Sequence, residues 1–301
     1  MIRRQQTIER PTELRGFGLF HGFDAAVQFL PAPEYHGIVF LRTDLPTPVR
    51  IPAVVEYVVP QLRRTVLSRL GVAVETVEHL LAALAGLQID NCLIRQSGPE
   101  PPIGDGSARE IVDALLSAGI VSQSAAALPH PRIDGFRVHE DNGATLSVEP
   151  TSRGELELTY HLDYGRGPLA PQSVSVNCNP TTFVKEIASA RSFVLEAEIA
   201  SLRSQGFGQR ATTKNVVVVG QDGQPVDGAW RMPDECARHK ILDCLGDFVL
   251  AGAIPAGRYV ASRSGHRLNH VLVRGLRGLD RSNSFRQVAE NAETWPVKRI
   301  A

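Results

Sequence analysis

The sequence predicts an α+β fold, on three observations. In the first quarter of the chain, short apolar segments alternate with turns rich in Gly and Pro, a pattern typical of strands. Two amphipathic helices with a strand between them follow. The second half again combines strands with helices, so we expect the two halves to share an architecture, although no internal sequence repeat supports this.

The composition is that of an ordinary soluble globular protein. The chain has 301 residues, enough for two domains, of which 43% are hydrophobic and 21% charged. Lys and Arg together number 32, as do Asp and Glu, so no net charge attracts nucleic acid or anionic lipid. The N-terminus lacks a signal-peptide apolar region, and no segment reaches the ~18 to 20 apolar residues of a membrane span. We therefore expect a cytoplasmic protein without a nucleic-acid partner.

The first half contains strands and two helices. Strands are predicted across residues 1–74, with turns between them. The next segment, 76–84, is predicted to be a helix that ends at a Gly86 cap, because its apolar residues follow the i, i+3, i+4, i+7 pattern. These residues are Val77, Leu80, Leu81 and Leu84. A strand at 89–95 and a second helix ending at Gly119 follow.

The segment 122–131 is small, polar and Pro-containing, which indicates an interdomain linker. We therefore predict an N-terminal α+β domain at residues 1–126 and a C-terminal α+β domain at 127–301. The second half has predicted strands at 144–150, 155–164, 216–220 and 258–262. Helices are predicted from Thr182, through Leu195 to Gly206, and at 234–247.

The helix at 234–247 combines an apolar stripe with a polar face. The stripe consists of Ala237, Ile241, Leu245 and Phe248, and the polar face of Cys236, His239, Lys240, Asp243 and Asp247. His239 and Asp243 stand at i and i+4, so both could bind one metal ion. Any surface helix has a polar face, however, so this pattern needs partners elsewhere in the chain.

Two further patterns are weak when taken alone. Glu78 and His79 lie side by side near the start of the first helix, off its apolar stripe, but adjacent Glu and His are common by chance. The four cysteines lack CxxC spacing, which favours reduced thiols over disulfides. Cys236 shares the polar face of the later helix and is an alternative soft metal ligand, although a role as a spectator thiol is the simpler interpretation.

Several stretches together resemble one enzyme family. They are TVEHLLAALAGLQIDN (76–91), PPIGDGSA (101–108), FVKEIASARSF (183–193), RHKILDCLGD (238–247) and SGHRLN (264–269). In this order they resemble the UDP-3-O-acyl-N-acetylglucosamine deacetylases, which remove the acetyl group from an acylated UDP-sugar in the committed step of lipid A synthesis. The joint occurrence of Glu-His, HKxxD and SGH is far more specific than any one of them.

The resemblance implies a fold and a metal. The family has two α+β domains of similar topology, with helices packed between two sheets and the metal at the domain junction. Zinc would be held by His79, His239 and Asp243, with a fourth position open, and the same ligands would accept Fe²⁺. The expected partner is a small molecule, the acylated UDP-sugar, and the expected state is a monomer.

The resemblance also implies catalytic roles. Glu78 would take a proton from the attacking water, and His266, oriented and kept protonated by Asp247, would protonate the leaving amine. The alternative that Glu78 does both remains open. Ser192, together with the cation of Lys240 or His266, would stabilise the oxyanion.

Substrate contacts follow from the same resemblance. Phe193 would pack on the sugar, and Glu198 stands where the family usually has an aspartate. Ser192 replaces the threonine of the family's ARTF motif and keeps the hydroxyl.

Two segments depart from the family pattern. The GxGLHSG loop reads GFGLFHG here, with Phe20 in place of histidine and His21 one position later. The LGGSLDN segment reads QRATTKN at 209–215, beside the passage for the acyl chain. Arg210 would shorten the passage, reshape it or point to solvent.

Three functions are therefore considered. The first is the family's own reaction. The second is that of a paralogous zinc amidohydrolase acting on another N-acetylated sugar or amide, if the altered segment cannot hold a long chain. The third is non-catalytic zinc binding or regulation, against which Glu78 and His266 count, since metal binding alone needs no separate base and acid.

Overall fold

The computed structural model describes residues 3–128, 135–151 and 154–279 and confirms the α+β class. The helices are α1 (Glu78–Gly86), α2 (Arg109–Ala118), α3 (Pro180–Thr182), α4 (Glu196–Ser204), α5 (Glu235–Phe248) and α6 (His266–Leu276), with a π-helical turn at Phe183–Ile187 and 3₁₀ turns at Val55–Tyr57 and Val249–Ala251.

The strands of the first half are β1 (Arg4–Ile8), β2 (Thr12–Phe17), β3 (Asp24–Pro31), β4 (Ile38–Arg42), β5 (Val49–Pro52), β6 (Val58–Val59), β7 (Val66–Arg69), β8 (Val72–Glu75), β9 (Cys92–Ser97) and β10 (Ile120–Ala126). Those of the second half are β11 (Phe136–His139), β12 (Thr145–Glu149), β13 (Leu156–Leu162), β14 (Gln172–Asn177), β15 (Phe193–Leu195), β16 (Val217–Val219) and β17 (Gly257–Ser262).

Two five-stranded sheets share one topology. Their strand orders are β2-β3-β9-β4-β5 and β11-β12-β17-β13-β14. In both sheets the last strand in sequence is central, antiparallel to the second strand and parallel to the third. The central residue Ile94 pairs with Phe29 and Phe40, and Tyr259 occupies the same place in the other sheet. Four of these residues are fully buried: Phe29, Phe40, Ile94 and Tyr259.

The predicted linker at 122–131 is wrong in its first part. Residues up to Ala126 form β10, which pairs antiparallel with β1 and lies outside both large sheets. Pairing with β1 supplies the backbone hydrogen bonds that a linker would lack. Residues 129–131 lie outside the described residues. Because β11 is the first strand of the second large sheet, we propose a domain boundary directly after β10.

Helices α1 and α5 form the buried centre of the fold. Residues 78–84 of α1 are all buried, and the polar side chains His239, Asp243 and Asp247 of α5 are at most 4% exposed. The surface-helix interpretation of α5 is therefore wrong: its polar face turns into the protein, towards α1. The predicted start of α1 at residue 76 is also wrong, because Thr76 has a φ of +54°, outside the right-handed helical region.

Gly246 sets the distance between these two helices. A Cβ atom at this position would lie 2.1 Å from the carbonyl oxygen of Glu78 and 2.8 Å from its carbonyl carbon, both backbone atoms. The α5 backbone therefore approaches α1 more closely than any side chain at position 246 permits.

Within the described parts of the chain, no helix combines the length and apolar character needed to cross a membrane.

We predict that Gly246→Ala lowers the free energy of unfolding by about 2 to 3 kcal/mol, because the added methyl group overpacks the α1–α5 contact. In an exposed helix the same change would stabilise by up to about 1 kcal/mol, so the sign of the effect is diagnostic. Urea denaturation measures it. Gly265→Ala is the control, because an added Cβ there meets nothing within 4 Å; a stabilised Gly246→Ala protein would contradict the prediction.

Candidate active site

The structure brings His79, His239 and Asp243 together. Their ligand atoms all lie within 4.8 Å of one another, and all three side chains are buried. His239 Nε2 is 3.4 Å from Asp243 Oδ1, and His79 Nε2 is 4.0 Å from the same oxygen. Among the described residues, these three form the single cluster of His, Cys, Asp or Glu side chains that could hold a metal ion. Cys236, the alternative ligand, is buried outside it.

The donor set of this triad fits a divalent cation. His239 Nδ1 lies 3.1 Å from the Ala190 carbonyl, which can only accept, so Nδ1 carries the proton and Nε2 presents a lone pair to Asp243. Burial, reinforced by neighbouring His239, lowers the pKa of His79 to about 3, and burial also lowers the pKa of His239. Two neutral imidazoles and a carboxylate thus face one another as acceptors, and a bound cation relieves their mutual repulsion.

Lys240 balances the carboxylate of this triad. Its Nζ donates to Asp243 Oδ2 at 2.7 Å. Burial opposes the charge on Asp243, but the Lys240 ammonium outweighs it and holds the pKa of that carboxyl below its usual range. Burial likewise opposes the charge on Lys240, yet Asp243 raises the pKa of the ammonium above its ordinary value. The two side chains are therefore charged together.

A second buried group adjoins the triad. His266 Nδ1 lies 2.8 Å from Asp247 Oδ2, and His266 Nε2 lies 3.8 Å from Glu78 Oε1. Burial raises the pKa of Glu78 to about 7. Burial opposes protonation of His266, but Asp247, with a smaller contribution from Glu78, raises its pKa to about 9. Near neutral pH this group holds a carboxyl poised to accept a proton and an imidazolium poised to donate one.

Three residues that the sequence analysis did not identify hold Asp247 in place. Thr65 Oγ1 donates to Asp247 Oδ1 at 2.5 Å, Asn269 Nδ2 donates to Oδ2 at 2.9 Å, and His270 Nε2 lies 3.3 Å from Oδ1. Asn269 and His270 follow His266 at i+3 and i+4 on α6, so helical spacing was an available signal. Thr65 directly precedes β7, far from α5 in sequence, and no local pattern identifies it.

The two groups lie at a cavity of about 610 Å³ that also contains the other predicted site residues. Ser192, Phe193, Glu198 and Lys240 all line it, with Glu78, His79, His239, Asp243 and His266. The Lys240 ammonium lies 5.9 Å from the centre of the Phe193 ring. The apolar lining comes from other elements: Leu19, Phe20, Ile199, Leu202, Phe207, Ala211, Val216 and Val218.

The loop that carries Ser192 is hydrogen-bonded to the GDGS segment at 104–107. The Ser192 amide donates to the Gly106 carbonyl at 2.7 Å. Gly106 has a φ of +84°, and a Cβ there would lie 2.3 Å from the Asn215 carbonyl oxygen, so only glycine fits. Next to Ser192, Arg191 donates through Nε to the fully buried Glu235 carboxylate at 2.7 Å. Glu235 begins α5, and Arg191 thereby fixes Ser192 relative to this helix.

Glu198 lines the cavity but is engaged in an ion pair. Its Oε1 lies 2.6 Å from Arg63 Nη2, and its Oε2 accepts from the Leu195 amide at 3.2 Å. Arg63 has a φ of +66°, which is uncommon for a residue with a side chain. The pair joins α4 to the loop before β7 at the edge of the cavity.

The two segments that depart from the family pattern, at 16–22 and 209–215, differ in how their altered residues lie relative to the cavity. Phe20 lines the cavity, whereas His21 turns to Glu75, with Nε2 3.3 Å from Oε2. Arg210 is half exposed, outside the cavity lining, and pairs with Asp24 at 2.6 Å. Of the three outcomes considered for Arg210, the structure has it pointing to the surface.

Comparisons with known proteins identify the family of the chain. The family model described as "LpxC: UDP-3-O-acyl N-acetylglycosamine deacetylase" matches residues 5–277. The UDP-3-O-acyl-N-acetylglucosamine deacetylase of Myxococcus xanthus is 39% identical over 271 residues, covering 90% of this chain and 85% of the relative. That of Saccharophagus degradans is 39% identical over 298 residues, covering 99% and 97%. That of Chromohalobacter salexigens is 35% identical, covering 99% and 98%. The chain therefore belongs to the LpxC family of UDP-3-O-acyl N-acetylglycosamine deacetylases.

Proposed function

We propose that this protein is the deacetylase that hydrolyses the N-acetyl group of UDP-3-O-acyl-N-acetylglucosamine, releasing acetate, in lipid A biosynthesis. The observation that carries the proposal is the juxtaposition of a buried His79–His239–Asp243 triad with the Glu78–His266–Asp247 group at one cavity. Family membership and the names of the relatives support the same substrate. All these residues come from one chain, so we propose that a monomer is sufficient for activity.

His79, His239 and Asp243 would hold the metal, which we propose to be Zn²⁺, with Fe²⁺ as the alternative that this donor set accepts. When bound, such an ion supplies Lewis-acid polarisation of a carbonyl and increases the acidity of a water molecule. Lys240 keeps Asp243 ionised, and the Ala190 carbonyl fixes the tautomer of His239, so both ligands are prepared for the ion.

The proton transfers are assigned to Glu78 and His266. Glu78 takes the proton of the attacking water, since its raised pKa suits a base near neutral pH. Its Oε2 accepts the Thr65 amide at 3.0 Å, which orients the carboxylate. His266, held protonated by Asp247, delivers a proton to the leaving amine, which would otherwise be too basic to depart.

The remaining side chains bind charge and sugar. The Ser192 hydroxyl and the Lys240 ammonium face the cavity and are proposed to stabilise the oxyanion of the tetrahedral intermediate. The Phe193 ring is proposed to pack on the sugar. Glu198 is proposed to contact substrate from the cavity edge, where it is held by Arg63.

The position of Arg210 gives no support to a different amidohydrolase substrate. That alternative required the 209–215 segment to obstruct an acyl chain. Arg210 pairs with Asp24 outside the cavity lining, and the residues of this segment that line the cavity, Ala211, Thr212 and Thr213, are small. Deacetylation that depends on Glu78 would exclude the non-catalytic alternative.

We expect the metal-loaded protein to deacetylate UDP-3-O-acyl-N-acetylglucosamine in strong preference to its unacylated counterpart, because the apolar part of the cavity binds the acyl chain. Glu78→Gln should lower kcat by about 10² to 10⁴, the usual contribution of a general base. Release of acetate measures both effects. Glu149→Gln, which changes an exposed carboxylate on β12, is the control. Equal turnover of both sugars would favour the paralogue, and full activity of Glu78→Gln would exclude the mechanism.

Metal content should separate ligands from proton-transfer groups. We expect one zinc ion per chain in the zinc-loaded protein, lost in His239→Ala and Asp243→Asn and retained in Glu78→Gln and His266→Gln. Elemental analysis after dialysis measures this, with the exposed His161→Ala as the control. Full zinc retention in both ligand variants would exclude the assigned site.

The pH dependence of kcat should reveal the pKa that His266 has beside Asp247. If protonated His266 is the acid, kcat falls as pH rises through about 9. In Asp247→Asn the carboxylate that raises this pKa is gone and burial dominates, so the alkaline limb should move to lower pH. Asn269→Ala leaves the Asp247 charge in place and should keep the limb near that of the unchanged protein. An alkaline limb that does not move in Asp247→Asn would assign it to another group.

A further inference from the structure

Two aromatic side chains form one wall of the apolar part of the cavity. Phe20, from the loop after β2, and Phe207, from the segment after α4, both line it. Their ring centroids are 5.6 Å apart, and the rings meet edge to face at 84°. This arrangement is favourable for aromatic pairs, so the two rings close the space between the two chain segments.

The backbone on both sides of this wall is fixed. The Phe20 amide donates to the buried Glu100 carboxylate at 2.9 Å, and the Phe20 carbonyl accepts from the Gly208 amide at 3.0 Å. The second bond joins the loop after β2 directly to the residue that follows Phe207. The two chain segments therefore cannot move apart here without breaking a backbone hydrogen bond.

A buried cation lies against both rings. The guanidinium carbon of Arg64 is 4.2 Å from the centroid of Phe20 and 5.4 Å from that of Phe207. Its charge is paired with Glu75, with Nε 2.9 Å from Oε2. Cation–π attraction at this largely desolvated position holds the Phe20 and Phe207 rings together.

Outside the cavity lining, the Arg210–Asp24 ion pair links the segment after α4 to the first residue of β3. The Arg210 guanidinium also stacks over Phe17, 4.3 Å from its ring centre. The pair is exposed and contributes little to stability, but it keeps the Arg210 charge out of the cavity lining.

We propose that Phe20 and Phe207 are specificity-determining residues that limit the length of the 3-O-acyl chain; this inference rests on the proposed function. An alkyl chain gains affinity only where its methylene groups leave water, with each buried group contributing a factor of about four. Packed rings with a cation behind them do not yield to extra methylene groups, so a chain that reaches this wall gains nothing from further length.

The test is the acyl-length dependence of kcat/KM, measured on UDP-3-O-acyl-N-acetylglucosamines with a series of medium to long saturated chains. Phe207→Ala removes a ring from the wall and should raise kcat/KM for long chains relative to medium ones, by about fourfold for each methylene group newly accommodated. Phe207→Trp adds volume and should shift the preference to shorter chains. Opposite shifts from two substitutions at one position cannot come from general destabilisation.

Phe23→Ala is the matched control, because Phe23 lies in the same loop but is 67% exposed and outside the cavity lining; its length profile should equal that of the unchanged protein. Phe20→Leu, which keeps the position apolar, should reproduce the direction of Phe207→Ala. If all variants keep the unchanged profile while deacetylating acylated substrates, the wall does not set acyl length and the inference is overturned. If the unchanged protein deacetylates no member of the series, the proposed function fails and the inference falls with it.

Discussion

The close crossing of α1 and α5 is the constraint on which the site depends. Gly246 lets the α5 backbone lie against the backbone of Glu78, so the first turn of α1 faces the polar side of α5. Glu78 and His79 are adjacent in sequence, yet each meets a different group: His79 meets Asp243, and Glu78 meets His266. One backbone contact therefore places both groups at one cavity. The side chains at this crossing are buried, so bulk water is excluded from it.

Exclusion of water then determines the charge state of each group. Burial alone would neutralise every ionisable side chain in the site. It lowers the pKa of His79 to about 3, which leaves that imidazole neutral, and raises the pKa of Glu78 to about 7, so Glu78 can exchange a proton near neutral pH. His266 stays protonated because Asp247 is held ionised by Thr65 and by side chains of α6, and Asp243 stays ionised because Lys240 is beside it. Base, acid and ligands thus differ in protonation state although all are buried.

The sequence predicted the parts of this arrangement that lie within one element or one motif. The α+β class, the helix that carries His239 and Asp243, and the convergence of the motifs followed from spacing and resemblance. The buried polar face of α5 did not, because amphipathicity reports which face is apolar and not what covers the other face. Thr65 and the Phe20–Phe207–Arg64 cluster were missed because their contacts join residues far apart in sequence. The outward position of Arg210 depends on Asp24, which no local pattern connects to it.

Four residues stand at intervals of four along α5: Glu235, His239, Asp243 and Asp247. Glu235 contacts the Ser192 loop, His239 and Asp243 belong to the triad, and Asp247 contacts His266. A helix advances about 100° per residue, so insertion or deletion of one residue between Glu235 and Asp247 would turn part of this row away from its neighbours. A substitution in this helix affects one contact at a time, whereas a change in its length displaces several members of the row together. Variation in length among homologous chains should therefore be confined to segments outside α5, such as those around the cavity edge.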